Sequence, residues 1–492
     1  MDAVVKTRHG AVRGRVTDGV AAFKGIPYAA PPFGPARFGP PAPPAPWTGI
    51  RDAHVFGPTA PQWHYPQPFD QLLPNPLIPG EDCLNLNVWT PEPGPAGLPV
   101  MVWIHGGAFA NGSGAVPTYD GSRFARDGVM CVTLNYRLGV EGFAQLAGAP
   151  PNRGLLDQVA ALEWVRDNAA AFGGDPDRVT IFGESAGAMS VTSLLAMPRA
   201  HGLFHRAIAQ SGAGHHAVSP ATAEKVAAML AARLGVAATR EAMAGLPPAR
   251  VLEAQMAVST EARLDRDPER WGEVALNNLP WEPVVDGDVL PRRPVEAVAA
   301  GSAAGVELLI GSNTDEQRLF LVPTGMVDRV TEEQLHIAAA GYGLGAGALA
   351  TYRASRPAAT PGDLLAAVVT DWTFRIPALR LAEAHGAAGG ASHVYEFAWA
   401  SPRFEGRLGA CHYLEVGFVF DRVGPERALT GTEPPQGLAA AMHGSWTAFA
   451  RTGDPGWPAY DVERRTTMTF DERCRVVEDP RPDERRLWEG IR

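Results

Sequence analysis

Lysine is almost absent from this chain of 492 residues: Lys6, Lys24 and Lys225 are the only ones. Arginine supplies nearly all of the 43 positive side chains, and 53 acids outnumber them, for a net charge of −10. A chain with no basic excess is a poor partner for nucleic acid or an anionic membrane, because both need a concentrated positive face. Cysteine is scarce as well. Cys83, Cys131, Cys411 and Cys474 are widely separated and show no CxxC spacing, which excludes a disulfide scaffold and a cysteine metal centre. Reduced thiols in a cytoplasm are the expectation. No run of 18 apolar residues occurs, so no membrane insertion is expected. The opening MDAVVKTRHG lacks the charged and then apolar pattern of a secretory leader.

What the chain does have is apolar material, 46% hydrophobic against 20% charged residues, enough for one large core. The first 25 residues alternate around Gly10, Gly14 and Gly19, the pattern of short antiparallel strands and tight turns. Residues 31–46 and 60–80 are broken by proline and read as surface loops. From residue 98 the pattern changes. PVMVWI (99–104), VMCVTL (129–134), RVTIF (178–182) and ELLI (307–310) are near-continuous apolar runs of strand length, as expected of strands covered on both faces. Helical patterns lie between them, at 155–172 and at 188–197, the latter stopped by Pro198. The alternation predicts a mostly parallel central sheet flanked by helices. Residues 220–280 and 325–390 have a helical period and are expected to be insertions capping the strand ends. No repeat or long linker divides the chain, so 1–492 is read as one domain.

Gly183-Glu184-Ser185-Ala186-Gly187 fits G-x-S-x-G, and a buried strand ends where it begins while a helix pattern starts where it stops. That context is the nucleophile elbow, a turn sharp enough to lift a serine hydroxyl above a sheet. His105-Gly106-Gly107-Ala108 follows an earlier strand; small residues there let a carbonyl reach backbone N–H donors. Gly107, Ala108 and Ala186 are the candidate donors of an oxyanion hole. Asp315 and Glu316 leave the strand ELLI, and either could orient an imidazole. Of 13 histidines, His412 lies in a loop before an apolar run. His443 lies in a helical pattern and reads as a surface or packing residue. His201/His205 and His215/His216 lack the further ligands zinc requires, so no metal is expected.

Together these segments resemble the type-B carboxylesterases, the cholinesterase-like branch of the α/β-hydrolase fold, and are most similar to its bacterial members. The resemblance covers FKGIPYAAPPFGPARF (23–38), EDCLNLNVWTP (81–91), PVMVWIHGGAF (99–109), VTLNYRLG (132–139), residues 152–176, VTIFGESAGAMS (179–190), QSGA (210–213), NTDE (313–316) and HYLEVGFVF (412–420). It implies Ser185 as nucleophile, Glu316 and not Asp315 as the acid, His412 as base, and Gly107, Ala108 and Ala186 as oxyanion donors. It also implies an Arg37–Glu81 structural ion pair, with Glu184 and Glu415 as secondary acids near the serine and histidine. Three departures stand out: Gln317 follows the acid where the family often has glycine, Gly417 replaces a usual proline, and Cys83 has no upstream cysteine to pair with.

The expected activity is a serine carboxylesterase acting on small-molecule esters through an acyl-enzyme, without a cofactor. A lactonase, amidase or transacylase would use the same residues, and a binding protein on this fold would have no reason to keep them. Phe109, Leu319 and Phe320 are expected near an apolar pocket, with Trp63 and Tyr65 at its entrance.

Overall fold

The computed structural model describes residues 1–91, 93–94 and 97–492. Its backbone is organised by one sheet of 13 strands. Four short strands come first: β1 (Asp2–Lys6), β2 (Ala11–Thr17), β3 (Val20–Pro27) and β4 (Ile50–Asp52). They are followed by β5 (Asn85–Pro91), β6 (Leu98–Ile104), β7 (Met130–Leu134), β8 (Gly174–Glu184) and β9 (Arg206–Gln210). The last are β10 (Glu307–Asn313), β11 (Ser392–Phe397), β12 (Thr466–Phe470) and β13 (Arg475–Glu478). The order is β1-β2-β3-β5-β7-β6-β8-β9-β10-β11-β12-β13, with β4 added beside β2. From β7 through β12 every neighbouring pair is parallel, whereas β1, β2, β3, β5 and the outer β13 pair antiparallel along this path.

The apolar runs become the parallel strands because both of their faces are covered. Along β6, Val100, Val102 and Ile104 enter one buried cluster while Met101 and Trp103 enter the other. The period-2 geometry of a strand forces this division. Trp103 anchors its side, with ring centroids 4.8 Å from Phe182, 5.0 Å from Tyr119 and 5.1 Å from Phe420. The two expected helices form as Arg153–Asn168 and Ala186–Ala196. The segments 220–280 and 325–390 are largely helical; the second contains Glu332–Gly341, Ala348–Ser355, Pro361–Thr370 and Ile376–Ala387. A single turn of wider π geometry at Asp371–Arg375 joins the last two.

Parallel register brings the carboxyl ends of the central strands to one edge. Ile104 is level with Gly183, Glu184 with Gln210, Gln210 with Gly311, and Asn313 with Phe397. Loops leaving these ends are therefore neighbours although they are remote in sequence, which is where open α/β sheets carry their chemistry.

One expected ion pair is replaced by another. Arg37 does not meet Glu81, which is exposed; its Nε lies 3.0 Å from Glu141 Oε1, and both side chains are buried. The fully enclosed Arg137 is held in the same manner by Asp157, with Nε–Oδ2 and Nη2–Oδ1 distances of 2.8 and 2.7 Å, and its own N–H donates to that carboxylate at 3.0 Å. Removing one partner would strand a buried charge. Asp157→Ala is expected to lower stability by about 3–5 kcal/mol, read from the shift in the urea midpoint, with Arg137→Met/Asp157→Leu recovering most of the loss.

Candidate active site

Ser185 stands between the end of β8 and the first residue of the helix Ala186–Ala196, with φ 56° and ψ −125°. This is a costly conformation for a residue with a Cβ, and such strain persists only where the surroundings enforce it. They do so here by close approach. A Cβ on Gly212 would lie 2.5 Å from the Ser185 carbonyl oxygen, and one on Gly187 would fall onto the Ile104 carbonyl. The turn is fastened by Ser185 N–H donating to Gln210 O at 2.9 Å and by Met189 N–H donating to Ser185 O at 2.9 Å.

The turn after β6 faces this elbow. Gly106 sits against Glu184 and Ser185: a Cβ there would lie 2.8 Å from Glu184 Oε2 and 3.0 Å from Ser185 Cβ. Ala108 and Phe109 both have positive φ, near 56° and 57°. Among the described residues the amide N–H groups of Gly107, Ala108 and Ala186 donate to no protein acceptor, so all three stay available to a ligand oxygen. His105 stiffens this turn. Its ring stacks on Tyr136 at 4.6 Å and its Nδ1 donates to Gly106 O at 2.8 Å. Burial pulls its pKa down to about 4, so it is neutral and structural.

Glu316 and His412 come together as the sequence implies. His412 Nδ1 donates to Glu316 Oε2 at 2.7 Å, and both side chains are buried. The other carboxylate oxygen, Oε1, accepts from Asn313 N–H at 2.8 Å, which fixes the acid to the end of β10. Asp315 serves its own loop by accepting from Ala410 N–H at 3.1 Å and pairing with Arg318. Ser185 is not joined to the ring. His412 Nε2 instead lies 3.0 Å from Glu184 Oε1, on the residue immediately before the serine. Carboxylates thus face both ring nitrogens, Glu316 hydrogen-bonded to Nδ1 and Glu184 close to Nε2 without forming a hydrogen bond. Burial alone would lower its pKa; Glu184 and Glu316 override this and raise it to about 9.

Two more acids lie behind this pair. Glu415 accepts from Asn313 Nδ2 at 2.7 Å and from Gln210 Nε2 at 3.2 Å, and Gln210 Oε1 accepts from Trp446 Nε1 at 2.9 Å. Burial, followed by the Glu316 charge, raises Glu415 to about 7. Glu426 accepts from Gly417 N–H at 3.2 Å, and burial pushes its carboxyl up, as burial does for Glu184. A Cβ on Gly417 would lie 2.5 Å from Glu426 Oε2. A proline ring has no place there and would remove that N–H, so glycine at 417 matches its neighbour Glu426.

The pocket expectations divide. Phe320 is partly exposed, with its ring 5.5 Å from His412, whereas Leu319 is buried in the core and Phe109 packs on Phe143 at 4.9 Å. Trp63 and Tyr65 lie on a loop clipped to the turn after β6. Gln62 and Gly112 exchange two hydrogen bonds of 2.8 Å, and Asn111 Nδ2 donates to Trp63 O at 2.6 Å. Sequence reasoning missed Phe374, whose ring is 4.8 Å from His412, because it lies inside a helical apolar run with no motif around it. His443 is a packing residue, buried 4.4 Å from Phe124 and joined to Asp127 at 3.0 Å. Among the described residues no group of His, Cys, Asp and Glu is placed to hold a metal.

A mostly parallel sheet with a sharply turned serine at its central strand end defines the α/β-hydrolase fold. Among solved structures, a carboxylesterase of Geobacillus stearothermophilus superimposes with a TM-score of 0.86 at 38% identity, covering 99% of both chains. The carboxylesterase family model matches residues 1–488, and the chain belongs to that family. It is 40% identical to the para-nitrobenzyl esterase of Bacillus subtilis over 98% of this chain and 97% of that one. It is 36% identical to the phenmedipham hydrolase of Pseudarthrobacter oxydans, over 98% of each.

Glu184→Gln should separate the two grips on His412. Removing the Glu184 charge takes away a cause of the raised imidazole pKa, so the neutral base persists to lower pH. The acid limb of the kcat/KM profile is expected to move down by about one pH unit, measured against wild type from pH 5 to 10.

Proposed function

We propose that the protein is a serine carboxylesterase that hydrolyses small-molecule carboxylic esters. Ser185 is the nucleophile, His412 the general base and acid, Glu316 its orienting carboxylate, and Gly107, Ala108 and Ala186 the oxyanion donors. The observation that carries this reading is the buried 2.7 Å bond between His412 Nδ1 and Glu316, formed at the same sheet edge as the strained Ser185 turn. Membership of the carboxylesterase family and relatives whose names are esterases support it. One domain spanning 1–492 fits a single sheet running from β1 to β13. Four unpaired cysteines fit a reducing cytoplasm, and the similarity to bacterial esterases supports a bacterial source.

Catalysis begins when His412 leaves its Nε2 proton with Glu184, 3.0 Å away, and turns the freed nitrogen to the hydroxyl of the adjacent Ser185. Oγ then bonds to the ester carbonyl carbon as its proton passes to Nε2, and the resulting oxyanion is held by the three N–H groups. Collapse breaks the bond to the alkoxy oxygen, which takes the proton from Nε2 and leaves as the alcohol. Water repeats the sequence on the acyl-enzyme, releasing the acid and restoring Ser185. Glu316 holds the ring through Nδ1 and steadies the imidazolium.

Ser185→Ala should remain folded and lose about three or more orders of magnitude in kcat on p-nitrophenyl esters. A fluorophosphonate should label one peptide, the one containing Ser185. Labelling elsewhere, or residual activity above about a tenth of wild type, overturns the assignment.

A further inference from the structure

The loop that passes under Ser185 continues into a second polar centre. From Gly212, which abuts the Ser185 carbonyl, it reaches His215 and His216. His216 Nε2 donates to the carbonyl of Thr373, the neighbour of the Phe374 ring that lies against His412. Around these histidines, buried polar atoms without hydrogen-bond partners accumulate: His215 Nδ1, His216 Nδ1, Glu282 Oε1, Trp372 Nε1, and both Nε and Nη2 of Arg492. Such atoms are rare in native interiors, and each carries a desolvation cost unless something else satisfies it.

They belong to one neighbourhood. His216 Nδ1 is 3.8 Å from Glu282 Oε1. The Arg492 guanidinium lies 4.0 Å over the Trp372 ring, and its backbone carbonyl accepts from Arg380 Nε at 2.9 Å. Glu282 is the leading opposing charge acting on Arg492, yet the two form no ion pair among the described residues. The other cations nearby are committed: Arg293 to Glu273 at 3.1 Å, and Arg380 to Glu383 at 2.8 Å.

The pattern of unmet groups specifies a ligand. Nε and Nη2 form the edge of a guanidinium that presents two parallel N–H groups, the geometry that grips a carboxylate through both oxygens. Trp372 offers a further donor. Glu282 Oε1, with Oε2 already accepting from Asn277 Nδ2 at 3.2 Å, requires a donor in return. We propose that this centre binds the carboxylate of a small hydroxy- or amino-acid unit, with Arg492 and Trp372 holding the carboxylate and Glu282 accepting from its hydroxyl or ammonium group. His216 ties the centre to the backbone beside Phe374, whose ring lies against His412, so the proposed occupant is either the acid arm of an ester substrate or a free acid. The substrate arm rests on the esterase reading above; the free acid does not.

The experiment uses malate as the free probe and compares p-nitrophenyl butyrate with p-nitrophenyl hydrogen succinate as esters of similar length. Malate at millimolar concentration is expected to raise the thermal midpoint of wild type but not of Arg492→Gln. If the acid arm of a substrate is the occupant, Arg492→Gln also lowers kcat/KM for the succinate ester by about tenfold or more, mainly through KM, while butyrate hydrolysis changes less than about twofold. A malate shift without the succinate effect assigns the site to a free acid. Trp372→Phe keeps the ring beneath Arg492, removes only one donor, and should weaken the malate response by several-fold even if Arg492→Gln does not fold. An unchanged malate shift and an unchanged succinate-to-butyrate ratio in both variants overturn the proposal and leave these groups to buried water. Failure of wild type to hydrolyse butyrate would instead strike the esterase reading, since the malate arm needs no turnover.

Discussion

An imidazole enclosed among acids is the constraint to which the rest of the site is fitted. His412 has a carboxylate on each nitrogen, and Glu415 and Glu426 stand behind them, all inside the protein. Carboxylates withdrawn from water repel one another and favour their protonated forms unless donors or cations meet them. The chain meets them with fixed groups at strand ends. Asn313 serves Glu316 through its backbone and Glu415 through its side chain, while Gln210 links Glu415 to Trp446. Asn313 ends β10 and Gln210 ends β9, so the sheet itself sets the positions of the acids.

The same edge produces the strained serine. β6, β8 and β9 run parallel in tight register, and the residues that leave them must cross within a few ångströms. Glycine at 106, 187 and 212 permits that approach, and Ser185 takes up the backbone strain. The turn after β6 shares this crowding: Ala108 and Phe109 have positive φ, and the amides of Gly107 and Ala108, proposed as oxyanion donors, meet no protein acceptor among the described residues. A rigid platform of this kind holds donors in place before charge develops, which is how such groups contribute most.

Much of this was legible in the sequence, for definite reasons. Buried parallel strands leave unbroken apolar runs, and a strand–turn–helix with glycine on both sides of a serine leaves a short, recognisable pattern. Glu316 and His412 were reached through family resemblance, because a loop acid and a loop histidine carry no period of their own. The Arg37 partner was misread. Glu141 lies in a five-residue helix, Gly139–Phe143, that no periodicity marks, and only tertiary packing decides which of two acids an arginine meets. Phe374 sits in a helical insertion whose packing has no signature in local spacing, and the centre proposed around Arg492 joins residues from distant stretches that no local pattern connects.

The enclosed acids also bear on how an oxyanion can form here. A negative oxygen developing beside Ser185 would face Glu184, Glu316 and Glu415, and in a poorly hydrated interior their repulsion is screened weakly. The electrostatics resolve if the acids are not all charged. Burial favours the protonated forms of Glu184 and Glu415, against the pull of the imidazolium on Glu184, while Glu316 stays bonded to the ring. On the proposed mechanism the Nε2 proton passes to Glu184 as the ring turns to Ser185. The glutamate preceding the serine would then be neutral when the oxyanion forms, and it belongs to the charge balance of the proposed transition state.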